Sequence, residues 1–441
     1  MVSSPPPPPP PSSSGDKDPN PTRRILGLGF WIQGFRCLPW MAINFFLKDG
    51  LHVDPSTLQL LQNSANLPMV GKPLYGVISD AVYISGQHRI PYIAIGGIKE
   101  VHRGIVSLLL QIVLTTFLQS VSWLAIAILS PSGISIVTLS LCLLLSNLGA
   151  SIAEVANDAI VAEIGKQPAV PPKKSHSYSS GELQSFVWIA SSAGGVLGNL
   201  LGGLAITIYG PQAMFLLFSL TVALQLFIII TVRESSLNLP KSSSRVGLRK
   251  QLSELSVALQ KPEIACSITW LAASNAIVPA LTGTMFFYQT QYLNINSSVL
   301  GISKGFWPGS NASMECHLQS FFKGVYRSMG VPDLLYVIVF SGLLEVLFFF
   351  KLLPFNILMA QLCPSGCEGS LMAFVASATA LSFIVSGFLG VALSSFVGVT
   401  GSDFSGLPRA LLIQAVCTVL PVYWSSCIPD DKTSSRNRKN E

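Results

Sequence analysis

The residues Gly71–Asp80 read GKPLYGVISD, and after a short gap the chain continues with His88–Pro91, which read HRIP. An apolar segment ends at the acidic Asp80, a polar turn follows, and the basic Arg89 precedes the next apolar segment. Gly76 permits a close approach by another helix, and Asp80 is placed to pair with a cation at the membrane surface. Two interpretations are open: an ordinary charged turn between membrane helices, or a latch that joins two helices.

The composition of the chain surrounding this turn is that of a membrane protein. The chain has 441 residues, of which 50% are hydrophobic and 11% are charged, and its mean hydropathy is +0.54. Soluble domains carry about 25% charged residues. Apolar runs of roughly 20 residues match a hydrocarbon core of about 30 Å, and only helices or closed barrels satisfy every backbone group in lipid. Because the runs are uninterrupted, we expect an all-α polytopic membrane protein.

The charges and cysteines exclude several classes of protein. The net charge of +6 comes from basic residues in short loops and tails, where the positive-inside rule places them, so no nucleic-acid partner is expected. Of the eight cysteines, Cys363 and Cys367 lie closest together, but their spacing is not that of a redox or zinc pair. We expect no metal and no cofactor. The sequence contains no nucleophile–base pairing and no phosphate-binding glycine loop, so neither an enzyme nor an ATP-driven pump is expected.

Apolar runs and polar breaks divide the chain into five segments. Residues 1–24 form a disordered, Pro/Ser-rich cytoplasmic tail, 25–232 an N-terminal six-helix half, 233–263 a central cytoplasmic loop, 264–428 an incomplete C-terminal half, and 429–441 a basic cytoplasmic tail. About ten helices are readable, six before the central loop and four after it. The first segment lacks the apolar core of a secretory signal and does not resemble a plastid transit peptide.

Several charged residues lie within apolar runs, and charges there are costly by at least ~2.5 kcal/mol at the bilayer centre. Arg36 either faces a cavity or a partner, or extends its side chain to the interface. Lys72 lies in the second run. Glu154 and Asp158 are four residues apart and share a helix face, where like charges repel unless a proton or a cation intervenes. These acids indicate either a site or an acid-rich helix cap.

Two further patterns concern helix geometry. Gly194, Gly198 and Gly202 form one small-residue face, which predicts a close crossing with another helix. Pro279 and Gly283 lie within a single run over 264–289. Both residues weaken a helix, and broken helices are typical of transporter sites.

Six stretches together carry a family resemblance. They are 71–80, 89–92 (RIPY), 154–163 (EVANDAIVAE), 181–185 (GELQS), 284–290 (TMFFYQT) and 362–370 (LCPSGCEGS). In this order they resemble the folate–biopterin transporter family, in its plant branch, within the major facilitator superfamily. The resemblance runs from Arg24 to Pro429. It implies a major facilitator fold with twelve helices, alternating access, and transport of pteridines such as folate or biopterin, driven by a proton gradient.

The chain departs from this family pattern in two places. About 20 extra residues lie near 98–118, inside the third helix. Residues 305–321 replace the stretch where helices eight and nine are expected, so those two helices are apparently lost. Three readings therefore compete: a transporter of folates or pterins, a transporter of another organic solute, and a chain that no longer transports because its second half is incomplete.

The resemblance also suggests roles for individual residues, since folate is a dianion with a flat heteroaromatic ring. The assigned roles are carboxylate binding for Arg36 and Lys72; pterin recognition or proton transfer for Glu154 and Asp158; ring stacking for Trp188, Phe287 and Tyr288; and a cytoplasmic gate for Gly76, Asp80 and Arg89. The expected partners are the small-molecule substrate, protons and the lipid bilayer, and the expected state is a monomer. The expected location is a multi-pass membrane position; plant relatives include plastid-envelope members, but the N-terminus does not support that address.

Overall fold

The computed structural model describes residues 21–75, 103–130, 133–165, 180–231, 248–306, 355 and 368–427. Within these ranges the regular structure is helical and contains no strand. The predicted gate residues Gly76, Asp80 and Arg89 lie outside the described residues. So do 98–102 and 307–321, which belong to the two departures from the family pattern.

The described helices form an N-terminal group and a C-terminal group. The N-terminal group consists of α1 (Pro21–Phe35), α2 (Cys37–Phe45), α3 (Pro55–Ala65), α4 (Arg103–Leu129), α5 (Ile136–Gly165) and α6 (Ser180–Thr231). The C-terminal group consists of α7 (Leu248–Gln260), α8 (Pro262–Ala276), α9 (Thr282–Phe287), α10 (Ser297–Phe306), α11 (Glu368–Val397) and α12 (Leu407–Val419). Short helical turns continue four of them, over Phe46–Gly50, Leu67–Gly71, Tyr288–Tyr292 and Leu420–Cys427.

Proline accounts for the break between α1 and α2. Pro39 has no N–H to donate to the carbonyl of Phe35, and its ring crowds that carbonyl. The helix is therefore interrupted at Arg36. Hydrogen bonds from Arg36 N to Ile32 O (3.1 Å) and from Trp40 N to Arg36 O (3.3 Å) keep the two segments nearly continuous. The sequence predicts one helix over 25–47, and the structure has a kinked one.

Helix α6 contains two membrane crossings. Its backbone leaves helical geometry at Gly210, where φ is 76° and ψ is 169°, immediately before Pro211. The apolar part, Leu183–Thr231, has 49 residues, or about 74 Å of helix at 1.5 Å per residue, which is more than twice the ~30 Å core. The prediction of two helices here, with a break near 209–211, is confirmed.

By length and composition, five of the described helical stretches are suited to cross a membrane. They are Ile112–Leu129, Ile136–Asp158, Leu183–Thr231, Ser370–Val397 and Leu407–Trp424. The first lies within the long apolar run predicted over 104–129, and the residues before it, 76–102, lie outside the described residues. The all-α membrane fold predicted from composition is thus the fold that the structure has.

The bundle has two ends that are defined by their contacts. At one, the inner end, Leu26 of α1 packs with Ile160 of α5 and Leu183 of α6. At the other, the outer end, the loop after α2, the turn after α9 and the loop after α11 line a cavity of about 550 Å³, with Lys48, Tyr292 and Ser402 among its walls. The two helix groups meet around this cavity.

Helix α6 packs closely against α1 and α2, and this contact fixes the position of α1. A Cβ on Gly194 would lie 2.0 Å from the carbonyl oxygen of Trp31, and one on Gly198 would lie 2.9 Å from that of Phe35. Gly202 is less tightly packed, since its Cβ would lie 3.3 Å from Met41 Cβ. The kink that carries Arg36 therefore has a defined position in the bundle.

Candidate functional site

A group of four side chains, here called the charged cluster, lies between α2, α3 and α5 and consists of Arg36, Lys72, Asn147 and Glu154. Arg36 Nη1 is 2.8 Å from Glu154 Oε1, and Lys72 Nζ is 2.7 Å from Glu154 Oε2. Each carboxylate oxygen thus has its own cation. The side chains of Arg36, Lys72 and Glu154 are 13%, 19% and 10% exposed, so the ion pairs are largely shielded from solvent.

Asn147 connects the charged cluster to the backbone of α3. Its Oδ1 accepts a hydrogen bond from Arg36 Nη2 at 2.7 Å, and its Nδ2 donates to the carbonyl of Ala65 at 2.6 Å. Asn147 and Glu154 are seven residues apart on α5, which places them two turns apart on the same face. This face therefore holds Arg36 with two side chains, one charged and one neutral.

The local sequence explains how the two cations reach Glu154. Pro39 produces the kink at Arg36, and Pro68 lies in the tightened turn Leu67–Gly71 that precedes Lys72. Both cations are therefore attached at irregular points of their helices. Such irregularities are found in membrane proteins where they line a cavity or are buried in protein.

Every charged side chain of the charged cluster has a partner of opposite charge. Two cations and one carboxylate leave a net charge of +1, and Asp158 lies one turn further along α5, exposed and close enough to attract Lys72. Breaking a buried ion pair by removing one partner is costly, because it leaves an uncompensated charge. Protonation of Glu154, or a competing anion, would weaken its pairing with Arg36 and Lys72.

The predicted aromatic residues lie elsewhere. Tyr288 stacks on Tyr292 with ring centroids 5.0 Å apart, and Phe287 lines the outer cavity. Phe45 contacts Phe286 at 5.1 Å and follows Arg36 by nine residues, or about 13 Å of helix. Phe287 and Tyr288 are thus well separated from the charged cluster.

Trp188 lies on the first arm of α6 and is 58% exposed. The structure therefore brings together Arg36, Lys72 and Glu154, places Asp158 beside them, and does not add the predicted aromatic rings to the same group.

Sequence reasoning did not identify Asn147 or Gln59, two buried amides that bind across helices. The sequence could have indicated Asn147, because it is a polar residue within the apolar part of α5. Polar residues in such positions are typically functional or paired. Gln59 had no such signal, since polar residues are common along α3 and nothing distinguishes Gln59 from the others. Among the described residues, no group of three His, Cys, Asp or Glu side chains is placed to hold a metal ion.

The architecture is that of membrane transporters. The crystal structure of a D-xylose-proton symporter matches with a TM-score of 0.61 over 92% of this chain and 97% of that one, at 13% sequence identity. At this identity the likeness concerns the fold alone. The chain therefore has a major facilitator fold.

The chain belongs to the BT1 family. The family model matches residues 33–111, 109–315 and 320–441. The match is divided near 110 and between 315 and 320, in the two regions where the sequence departs from the family pattern.

Two relatives from Arabidopsis thaliana support the assignment. One, "Probable folate-biopterin transporter 7", is 53% identical over 451 residues and 96% of each chain. Another, "Probable folate-biopterin transporter 8, chloroplastic", is 39% identical over 439 residues, covering 92% of this chain and 75% of the relative. The family and these relatives are transporters and not enzymes, and the chain is an integral membrane protein.

Proposed function

We propose that this chain is a secondary active transporter that moves folates or related pterins across a membrane, together with protons and by alternating access. The names of its relatives support the substrate class. The observation that carries the mechanism is the sharing of one buried carboxylate, Glu154, between Arg36 and Lys72.

The substrate's own charges match the two cations. Folate ends in a glutamate with two carboxylates, so Arg36 and Lys72 can each bind one of them in place of Glu154. Arg is suited to a carboxylate because its planar guanidinium donates two parallel hydrogen bonds, whereas Lys acts as a point charge. Asn147 keeps Arg36 oriented during the exchange because it binds a different guanidinium nitrogen, Nη2.

A proton on Glu154 would favour this exchange. With Glu154 neutral, Arg36 and Lys72 have no carboxylate between them, and the two carboxylates of a dianion can take its place. Proton binding and substrate binding then strengthen each other by the same factor, as linkage requires. Asp158 is suited to pass the proton, because it is exposed, lies one turn nearer the inner end, and interacts with Lys72.

We assign the other predicted site residues to different positions between the inner and outer ends of the bundle. Trp188, exposed on the first arm of α6, remains a candidate for stacking on the pterin ring, although it is not part of the charged cluster. Phe287 and Tyr288 lie at the outer end and would meet the ring of a solute that enters from that side. Gly76, Asp80 and Arg89 remain the proposed gate on the cytoplasmic side.

The test is uptake of labelled folate into proteoliposomes containing the full chain, with and without an imposed proton gradient. We expect Glu154→Gln to abolish accumulation driven by the gradient, because Gln cannot gain and lose a proton, and to retain exchange of labelled for unlabelled folate. Asp49→Asn is the matched control, since Asp49 also pairs with a lysine but its side chain is 59% exposed at the outer end. This control should behave as the unmodified chain does.

The possible outcomes of the uptake experiment distinguish the coupling site from the substrate class. Gradient-driven folate accumulation that persists in Glu154→Gln and in Glu154→Gln/Asp158→Asn would overturn the proposed coupling site. Uptake of other organic anions, but not of folate or pterins, would replace the substrate class and leave the coupling site in place. Absence of any uptake or exchange by the unmodified chain would identify it as transport-incompetent.

A further inference from the structure

Gln59 of α3 joins the two helix groups with three hydrogen bonds. Its Nε2 donates to the carbonyls of Ala280 and Gly387, both at 2.6 Å. Its Oε1 accepts from the backbone N–H of Gly283 at 2.9 Å. The residue is 1% exposed. One neutral side chain of the N-terminal group thus binds the backbone of the C-terminal group at three points; these four residues are called the amide seam.

The break between α8 and α9 explains why two of these backbone groups, the carbonyl of Ala280 and the N–H of Gly283, are free to bind Gln59. Helix α8 ends at Ala276 and α9 begins at Thr282, with Pro279 in the break, as the sequence predicts from its Pro and Gly. The first N–H groups and last carbonyls at helix ends have no partner within the helix. Gln59 supplies a donor for the carbonyl of Ala280 and an acceptor for the N–H of Gly283, and a buried polar group left without its partner costs ~1–3 kcal/mol.

Glycines make this approach possible. A Cβ on Gly283 would lie 2.4 Å from the carbonyl oxygen of Pro55, and one on Gly387 would lie 2.0 Å from Asn63 Nδ2. The backbone of α9 at Gly283 therefore meets the backbone of α3 at a distance that a side chain would prevent, whereas a side chain at Gly387 would have to displace that of Asn63. Gln59 is therefore closed off from solvent at the amide seam.

The amide seam lies between the outer cavity and the charged cluster. Gln59 is near the outer start of α3, close to Asp54, which lines the outer cavity. Lys72 follows Gln59 by 13 residues, which corresponds to about 20 Å of helix. A solute moving from the outer cavity to the charged cluster must therefore pass the level of the amide seam.

We propose that Gln59 is an uncharged lock of the outer gate, whose three hydrogen bonds close the molecule on the outer side and must be released each time it opens there. This lock rests on the proposed alternating-access transport. It differs in kind from the charged cluster, because no proton or ion is needed to release it. The substrate and the proton act on it only through movement of the helix groups.

A second contact at the outer end limits how far the loss of Gln59 should open the molecule. Ser297 Oγ donates to the carbonyl of Gly203 at 3.0 Å, and a Cβ on Gly203 would lie 2.5 Å from the Cα of Gly301. Helices α6 and α10 therefore also hold the outer end closed. Loss of Gln59 should shift the balance between closed and open states and should not abolish the closed state.

The experiment measures the width of the outer end directly. Spin labels are attached at His52→Cys and Ser402→Cys, one on each side of the outer cavity, in a full chain whose eight native cysteines are replaced. Pulsed electron spin resonance then gives the distance distribution in nanodiscs for this parent, for Gln59→Ala and for Gln62→Ala. Gln62 is the matched control: it lies three residues further on α3 and donates to Asn44 within the N-terminal group.

We expect Gln59→Ala to raise the ratio of the longer-distance, outward-open population to the closed one by about tenfold, a factor of the order that a lost buried hydrogen-bond group produces. Gln62→Ala should leave the distribution as in the parent. Identical distributions for the parent, Gln59→Ala and Gln62→Ala would overturn the lock.

If Gln59→Ala does not fold, Gly283→Ala tests the same contact from the other side, because its Cβ must displace the Pro55 carbonyl. An unchanged distribution in that variant would likewise overturn the proposal. No folate is used in these measurements, so a failure of the proposed substrate leaves this result intact, and a failure of the lock leaves the uptake result intact.

Discussion

The charged cluster and the amide seam solve the same problem, burial of polar groups inside an apolar bundle, in opposite ways. The charged cluster pairs full charges, Glu154 with Arg36 and Lys72, within the N-terminal group. The amide seam pairs the neutral side chain of Gln59 with backbone groups of the C-terminal group. The first is internal to one group of helices, and the second holds two groups together.

This difference determines what can break the ion pairs of the charged cluster and what can break the hydrogen bonds of the amide seam. An ion pair responds to a proton or to a competing anion, because either one changes the charge of a partner. An amide bound to backbone carbonyls has no titrating partner, so only separation of the helices breaks it. We infer that chemical events act at the charged cluster and that the amide seam follows them mechanically.

The largest effect is expected from removing a cation of the charged cluster. Arg36→Ala leaves Glu154 Oε1 and Asn147 Oδ1 without their donor, and breaking a buried pair in this way costs about 3–5 kcal/mol. Thermal unfolding of the detergent-purified chain measures the loss. Asp49→Asn breaks an exposed pair with Lys48 (3.2 Å) and should cost about 1 kcal/mol or less. Equal losses for the two variants would contradict the view that the charged cluster is shielded from solvent.

An intermediate loss of stability is expected from adding a methyl group at a glycine of the amide seam. Gly283→Ala forces a methyl group against the backbone carbonyl of Pro55, which has little freedom to move, and overpacking of this kind costs about 1–3 kcal/mol. Gly387→Ala meets the amide end of Asn63 instead, a side chain that can rotate away. The Gly283 variant should therefore lose more thermal stability than the Gly387 variant. The reverse order would show that the α11 contact, and not the α9 contact, limits closure.

The smallest effect is expected at the start of α3, where Asp54 caps the helix that carries Gln59. Burial raises the pKa of Asp54, but hydrogen bonds from the Thr57 hydroxyl and N–H outweigh it, and the net pKa is lowered. A carboxyl with a lowered folded-state pKa stabilises the fold above its unfolded pKa and loses that contribution as the pH falls through the folded value.

Asp54→Ala should therefore cost about 1 kcal/mol at neutral pH, and this cost should disappear in acid. Thermal unfolding across a pH series measures it. Asp54→Asn, which caps without titrating, should match the unmodified chain at neutral pH and show none of this acid-dependent loss. A cost for Asp54→Ala that is the same at every pH would rule out the ionised cap.

Much of the fold was predictable because lipid imposes strong local constraints. Each apolar run had to satisfy its backbone internally, so α4, α5, α6, α11 and α12 lie where long apolar stretches occur. Proline and glycine marked the breaks for equally local reasons, at Gly210–Pro211 and around Pro279. The kink at Arg36 also follows from Pro39, although the sequence analysis treated 25–47 as one helix.

The site was predictable only as a set of residue types. A charge in an apolar helix needs a partner, which is why Arg36, Lys72, Glu154 and Asp158 stood out. From the sequence, the two cations are expected to bind the substrate, and the two acids to recognise the pterin or to carry the proton. In the structure, both cations bind Glu154. Nothing local connects positions 36 and 154, which are 118 residues apart.

By itself, the sequence determined that this protein is a helical membrane protein of the folate–biopterin transporter type, because hydropathy, turn residues and family motifs are properties of short stretches. The tertiary structure alone decided that one carboxylate is shared by two cations, and that Gln59 reaches the backbone at Ala280, Gly283 and Gly387. Those contacts depend on helix crossings and breaks that bring distant segments within hydrogen-bond distance. An amide such as Gln59 has no charge and belongs to no sequence pattern from which its partner could be predicted. Its partners are determined by helix packing alone.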